Sequence, residues 1–460
     1  MKRITFIINS QEYIRNYIES GVVAEITKKF DITLLLKEGL DLPGRGIMNN
    51  VDTYKEDCES LRAKRRLYNF YTYKYKNRSS SFKFRITRFD RLDDKKICDD
   101  HQALRHLAYI KIISKRLTRK VKRFFFAILH PSIILKLTGA VTANKYLKES
   151  IERTKPDIVV LPSSAYAPED IDFSLICKEL NIPNLLIVDN WDNLSSKSIL
   201  WEQPDFVAVW GEQSKNHAIN IQRIDEKKIF LLGSARYTSY FLNRDKELTS
   251  HFNFPYILFV GSSLPFNEPL VLSILDHELS RNKQLYGHTK IVYRPHPSRQ
   301  DGRRITMDSL KNVFVDPQVA DVYFGEKPNA SFQPALKYYP PLLKSSLFVI
   351  GGMTSMLIEA MIFRKPTIGL IHHEKGSITS PDEVFVAYEH FKGIENVSSI
   401  GLCSDLKNLG KMLEHNFREC NNFSYEQFEK DRNYFLYSGH IPYPQRLSNI
   451  INKIMLIHNL

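Results

Sequence analysis

Cysteine is scarce in this chain: five in 460 residues, at Cys58, Cys98, Cys177, Cys403 and Cys420. They are odd in number, far apart and never spaced CxxC, which argues against a disulfide framework or a structural zinc site and fits a reducing, cytosolic setting. Long apolar runs are missing too. The opening MKRITFIINSQEYIRNYIES meets Asn9, Gln11 and Glu12 before a signal-peptide core can accumulate, so secretion by that route is not expected. FFFAIL at 124–129, among the longest apolar stretches, falls well short of the ~20 residues that span a bilayer. No internal repeat or low-complexity tract is present.

With 43% hydrophobic and 25% charged residues, the composition is that of an ordinary globular chain, and its length suits more than one core. Charge is the unusual quantity: 65 Lys and Arg stand against 51 Asp and Glu, a net +14 that predicts attraction to something anionic. The excess is concentrated. Residues 61–96 carry thirteen Lys and Arg against three Asp, and Lys115, Arg116, Arg119, Lys120, Lys122 and Arg123 directly precede Phe124, Phe125 and Phe126. Cations beside aromatic rings suit a helix lying on an anionic membrane, with segment 115–129 as the docking element. A solvated basic helix is the plainer alternative. No recognisable nucleic-acid reader pattern accompanies the charge, so nucleic acid is not an expected partner.

Elsewhere short β-branched runs alternate with helical patterns, the signature of parallel sheets covered by helices. Strands are expected at 4–9, 32–37, 157–162, 183–189, 206–210 and 229–233 in the first half. In the second half they are expected at 256–261, 289–293, 313–315, 347–350 and 367–371. Each set supplies its own sheet, so the fold class is α/β with two Rossmann-like doubly wound domains. The polar stretch 242–253 (LNRDKELTSHFN) lacks apolar periodicity and reads as the linker. Residues 1–245 then form the first domain, with a mostly helical insertion at about 50–146, and 254–435 form the second.

In doubly wound domains ligands sit at the carboxyl ends of the strands, and the unusual residues of this chain lie there. At 347–371, LFVIGGMTSMLIEAMIFRKPTIGLI reads strand, Gly351-Gly352, Thr354-Ser355, helix, strand. Glycines let the backbone approach a ligand, hydroxyls at a helix start suit phosphate, and Glu359, four residues after Ser355 on the same helix face, can take ribose hydroxyls. Simple helix capping is the alternative, although neither hydroxyl residue has the Glu three residues on that a capping box uses. In KIVYRPHPSR at 290–299, Arg294, His296 and Arg299 follow a strand between Pro295 and Pro297, a second phosphate-binding candidate. Gly261, Ser262 and Ser263 end the first strand of the second domain and form a third. In the first domain, IVDNWDNLSSK at 187–197 places Asp189 and Asp192 at a strand end, either of which could deprotonate a sugar hydroxyl, with Trp191 and Asn193 as acceptor contacts. An Asx turn is the alternative reading of that loop.

The layout resembles the GT-B glycosyltransferases, and particularly the bacterial surface-polysaccharide group that includes capsule sialyltransferases, Kdo transferases and CDP-glycerol glycerophosphotransferases. The resemblance covers roughly 151–371 and rests on His296-Pro297, matching that group's HP motif, and on Thr354-Ser355, matching its hydroxyl pair. The chain departs from the group in lacking the sialyltransferase-like acidic-acidic-Gly triplet; Asp189-Asn190-Trp191-Asp192 stands at the corresponding strand end. The resemblance implies a cleft between the domains, a nucleotide donor (CMP- or otherwise linked) held through its phosphate by His296, Arg294 and Thr354-Ser355, and an aspartate base. It implies transfer of a sugar or sugar-like phosphate unit to a surface glycan, free or lipid-linked, at the inner face of the cell membrane. It also implies that 436–460 ends in a helix returning to the first domain. With no DxD motif of the metal-dependent glycosyltransferase type standing out, metal-independent direct displacement is expected, and no cofactor beyond the donor. The alternatives are a nucleotide-sugar epimerase of the same fold and a non-catalytic nucleic-acid-binding protein.

Overall fold

The computed structural model describes residues 1–42, 50–102, 104–137, 142–296, 309–324, 334–422 and 424–459. Pro297 and Arg299 of the proposed phosphate turn lie outside the described residues. The chain divides into two units. Unit 1 comprises Met1–Ala235, Tyr388–His390 and Leu436–Leu460, and unit 2 comprises Arg236–Ala387 and Phe391–Phe435. The change of unit at Ala235 therefore comes before the polar stretch 242–253, whose first residues belong to a helix, Thr238–Asn243. The three-residue return to unit 1 is secured at Glu389, whose carboxylate accepts from the Ser80 N–H (3.0 Å) and hydroxyl (2.8 Å).

Unit 1 holds seven strands: β1 (Arg3–Ile8), β2 (Asp31–Lys37), β3 (Val51–Tyr54), β4 (Ile158–Ser163), β5 (Asn184–Val188), β6 (Phe206–Val209) and β7 (Ile229–Leu231). They lie in the order β3-β2-β1-β4-β5-β6-β7, every pair parallel. Unit 2 holds six: β8 (Tyr256–Val260), β9 (Lys290–Arg294), β10 (Val313–Val315), β11 (Val349–Gly351), β12 (Thr367–Leu370) and β13 (Ile400–Cys403). Their order, again all parallel, is β10-β9-β8-β11-β12-β13. A parallel sheet is covered by helices on both faces, which is why central strands such as ILFV and IVVL are apolar at every position rather than alternately. Strand order reverses beside β1 in unit 1 and beside β8 in unit 2, opening a crevice at each sheet's carboxyl edge.

Two strands were not anticipated, β3 and β13. Both are four-residue edge strands with only partial burial, so their sequences carry neither a long apolar run nor a clean alternation. As a result the insertion begins with a strand, and only after β3 becomes helical, through Cys58–Lys74, Ser80–Asp100 and Arg105–Ile128. The starts of the first two are set by short polar residues. Asp57 accepts from the N–H groups of Glu59 and Ser60, and the Ser79 hydroxyl accepts from the Ser81 N–H.

The helix Tyr443–Ile457 belongs to unit 1. Leu447, Ile451 and Ile454, spaced at four and three residues, are fully buried in the cluster that contains Ile4, Phe6 and Ile8 of β1. Arg446 fastens its first turn: the guanidinium donates to the carbonyls of Leu232 (3.0 Å) and Ile441 (2.6 Å). Leu447→Ala should therefore cost unit 1 about 2–5 kcal/mol by leaving a cavity against β1. All three tryptophans (Trp191, Trp201, Trp210) are in unit 1, so their fluorescence in a denaturant titration reads this transition alone. An unchanged tryptophan midpoint would contradict the assignment of the helix to this core.

Candidate functional site

In unit 2 the loops after β8, β9 and β11 are brought together by register: Val260 lies beside Arg294 on one side and Gly351 on the other. The approach is close enough to exclude side chains. A Cβ on Gly261 would stand 2.9 Å from the backbone N of His296 and 3.1 Å from Cα of Pro295. One on Gly352 would stand 2.8 Å from the Phe266 ring and 3.3 Å from Cβ of Ser262. The glycines therefore serve the close approach of three loops, and Gly261, Ser262, His296 and Gly352 become one cluster. Ser262 is buried and its hydroxyl reaches the Met353 carbonyl at 3.5 Å, while Ser263 is exposed. His296, Thr354 and Ser355 are half-buried, so they line the edge of the cluster.

Glu359 is buried and already well supplied with donors. Tyr237 and Tyr240 each donate a hydroxyl at 3.1 Å, Ser355 donates at 3.3 Å, and Arg236 lies 3.5 Å away. The carboxylate thus organises the hydroxyl-bearing turn from beneath. Ser355 makes no capping bond, and its helix, Met356–Ile362, is seven residues long, so hydroxyls and loop N–H groups outweigh any dipole here. Arg294 is likewise committed: its guanidinium pairs with the fully buried Asp316 and donates to Gln318 and Tyr339 at 2.9 Å each. It braces β9 from within.

Sequence reasoning passed over Tyr237, Tyr240 and Asp316. The only sign of the first two is a RYTSY spacing that gains meaning once Glu359, more than a hundred residues later, is placed against it.

In unit 1 the loop after β5 packs between β4 and β6. The Asp189 N–H extends the ladder to the Ser163 carbonyl (2.9 Å), and its own carbonyl accepts from Trp210 Nε1 (2.9 Å). Its carboxylate accepts from the Asn16 amide at 3.2 Å, and Arg15 grips the Asn16 oxygen with two N–H groups at 3.1 Å. Arg15 and Asn16 follow β1, a position that could have been flagged from the strand end alone. Asp192 is differently placed. Its carboxylate takes the Ser196 hydroxyl (2.8 Å) and the Lys197 ammonium (3.2 Å). Burial opposes the charge, but Lys197 and Ser196 overcome it and hold Asp192 down to about 2. Trp191 is buried against the His390 ring at 5.0 Å, and the fully buried Asn193 donates to the Ser163 carbonyl at 3.2 Å.

Beside Asp189, Ser163 also meets the carboxyl group of Asp170, another residue that sequence reasoning passed over. Burial pushes Asp170 up to about 8, against the opposing Ser163 hydroxyl and Ala167 N–H, with Glu169 adding to the rise. Ala165, also in this turn, is a buried non-glycine residue at φ 55, a conformation that costs energy and is held by the surrounding contacts.

No protein-family model matches the sequence, and no curated protein matches it. Solved structures do resemble it. A Listeria monocytogenes protein described as a UDP-N-acetylglucosamine 2-epimerase superposes with a TM-score of 0.53 at 12% identity, covering 98% of this chain and 96% of that one. The UDP-GlcNAc 2-epimerase of Neisseria meningitidis, bound to UDP-GlcNAc, gives 0.51 at 14%, covering 99% and 100%. A further UDP-N-acetylglucosamine 2-epimerase gives 0.51 at 12%, covering 100% and 96%. What is shared is the fold. The expectation of two Rossmann-like α/β units of the GT-B kind agrees with it. The narrower resemblance to sialyl- and Kdo-transferases receives no support from these likenesses.

The Asp170 environment has a measurable consequence. Its folded value lies above the ~4 of an unfolded aspartate, so the folded state holds the extra proton between pH 4 and 8. Asp170 therefore contributes stability below pH 4 that is lost as pH rises toward 8. Asp170→Asn should flatten the fall in the tryptophan-detected unfolding midpoint over that window. Wild type and variant curves that run parallel would show Asp170 to be ionised in the folded protein.

Proposed function

We propose that this chain is an enzyme acting on a nucleotide-activated sugar, with unit 2 holding the nucleotide and its phosphates. The observation that carries this reading is the close meeting of the loops after β8, β9 and β11 at Gly261 and Gly352, edged by His296, Thr354 and Ser355. Backbone N–H groups, hydroxyls and an imidazole are suitable donors for phosphate oxygens, and the position is where doubly wound sheets bind ligands. Ser262 and Ser263 extend the same edge. Glu359 serves by presenting Ser355, and Arg294 by bracing the strand beneath His296.

Of the reactions open to such an enzyme, isomerisation of the sugar on its nucleotide is favoured, in keeping with the near full-length likeness to structures named as UDP-GlcNAc 2-epimerases. Within unit 1, Asp189 is a better candidate for acid–base work than Asp192: a carboxylate held at about 2 by Lys197, as Asp192 is, makes a weak base at neutral pH. Transfer to an acceptor is the second reading, and the basic, aromatic helical insertion favours it, since isomerising a soluble sugar nucleotide does not need one.

Incubation with UDP-GlcNAc and with CMP-, CDP-, GDP- and ADP-linked sugars in D₂O, followed by NMR, separates the two. Inversion at a carbon bearing hydrogen brings solvent deuterium to that carbon, whereas a transferase leaves the recovered donor unlabelled. His296→Ala and Ser355→Ala should each weaken nucleotide binding about tenfold or more, near 1.4 kcal/mol, without unfolding the protein. Asp189→Asn should bind nucleotide normally and lose ~100-fold in turnover, with Asp192→Asn milder. If no nucleotide or nucleotide sugar raises the melting temperature of the wild-type protein, the reading is wrong.

A further inference from the structure

The helix Arg105–Ile128 has two unlike sides. Toward its own unit it buries Ala108 and Ile112 beside Ile97, and Phe126 packs on the Phe70 ring at 5.3 Å. On that side Arg119 and Arg123 bind Asp90 at 2.9 and 2.6 Å, and Arg116 and Arg119 bind Asp94 at 2.8 and 2.9 Å. The expectation that Arg119, Arg123 and Phe126 face a membrane is thereby corrected: intramolecular ion pairs and core packing use them.

The opposite side is apolar and open. Leu107, Ile110, Leu117, Val121, Phe124 and Ile128 recur at helical spacing and project within a ~120° arc. Leu117 is 63% exposed, Phe124 64% and Ile128 61%. Exposed lysines border the arc, Lys111, Lys115 and Lys122 along one margin and Lys120 along the other. Over its 24 residues the helix carries eight Lys and Arg and no Asp or Glu. A water-facing helix has no physical reason to keep such a stripe uncovered.

We propose that this face docks on an anionic lipid bilayer, lying in the interface with the apolar arc in the acyl boundary and the lysines among the phosphates. Charge complementarity selects this occupant. A second copy of the chain would set lysine margins against lysine margins, whereas anionic headgroups neutralise them. The helix is too polar to span: no described helix is long and apolar enough to cross a membrane. Binding is therefore peripheral. The proposal is independent of which reaction the protein catalyses.

Flotation of the full-length protein with phosphatidylcholine vesicles containing roughly 30 mol% phosphatidylglycerol tests it. The protein should float with these and not with pure phosphatidylcholine, and about tenfold less in ~0.5 M salt than in ~0.05 M. Leu117→Glu with Phe124→Glu should abolish flotation, and Lys115→Gln, Lys120→Gln and Lys122→Gln together should reduce it at least about tenfold. Because these side chains are exposed, the tryptophan-detected unfolding midpoint should not move, which separates lost docking from lost fold. Failure to float, flotation that ignores the charge of the lipid, or flotation retained by the Leu117/Phe124 variant would overturn the proposal. So would a wild-type dimer in sedimentation that this variant dissociates.

Discussion

The contact that shapes the candidate site of the second unit is the close approach of three loops at the carboxyl edge of its sheet. With β9, β8 and β11 adjacent, the turns after them converge, and only the missing Cβ atoms of Gly261 and Gly352 let them do so. A side chain at either position would wedge the loops apart by overlapping backbone or ring atoms within 3 Å. Everything proposed for phosphate binding follows from that approach, because it collects N–H groups and hydroxyls from segments far apart in the chain.

Beneath the cluster lies a layer of buried polar groups that hold rather than contact. Glu359 gathers Tyr237, Tyr240 and Ser355, and Arg294 is bound through Asp316, Gln318 and Tyr339. Buried charges of this sort persist only when their hydrogen-bonding capacity is met. In meeting it, they fix the turns that carry the exposed donors. In unit 1, Asp189 is positioned through Asn16 and in turn Arg15, whereas burial pushes Asp170 up to about 8, so that it keeps its proton at neutral pH.

The long helix of the insertion shows how ion pairing can divide a basic segment into two functions. Three of its arginines are spent on Asp90 and Asp94, which ties the helix to its neighbour Ser80–Asp100. Its lysines are left at the margins of an apolar stripe. Counting charges along the sequence could not separate the two sets, since arginines and lysines are interleaved within it.

Fold class was legible in the sequence because parallel strands buried on both faces are continuous apolar runs, and turn signals bounded eleven of the thirteen. The edge strands β3 and β13 escaped because half-exposed edges carry no such run. The placement of His296, Thr354, Ser355 and Asp189 just after strands was legible for the same reason, since the runs that mark the strands also mark their ends. What the sequence could not decide was which polar groups are spent. Arg294 and Asp192 look like Arg and Asp anywhere until Asp316 and Lys197 are found beside them. Glu359 reads as a ribose contact until two tyrosines from a remote segment of the chain reach it. Spacing along a chain reports local geometry, whereas the partner that satisfies a buried charge is chosen by tertiary packing, and only the folded chain shows it.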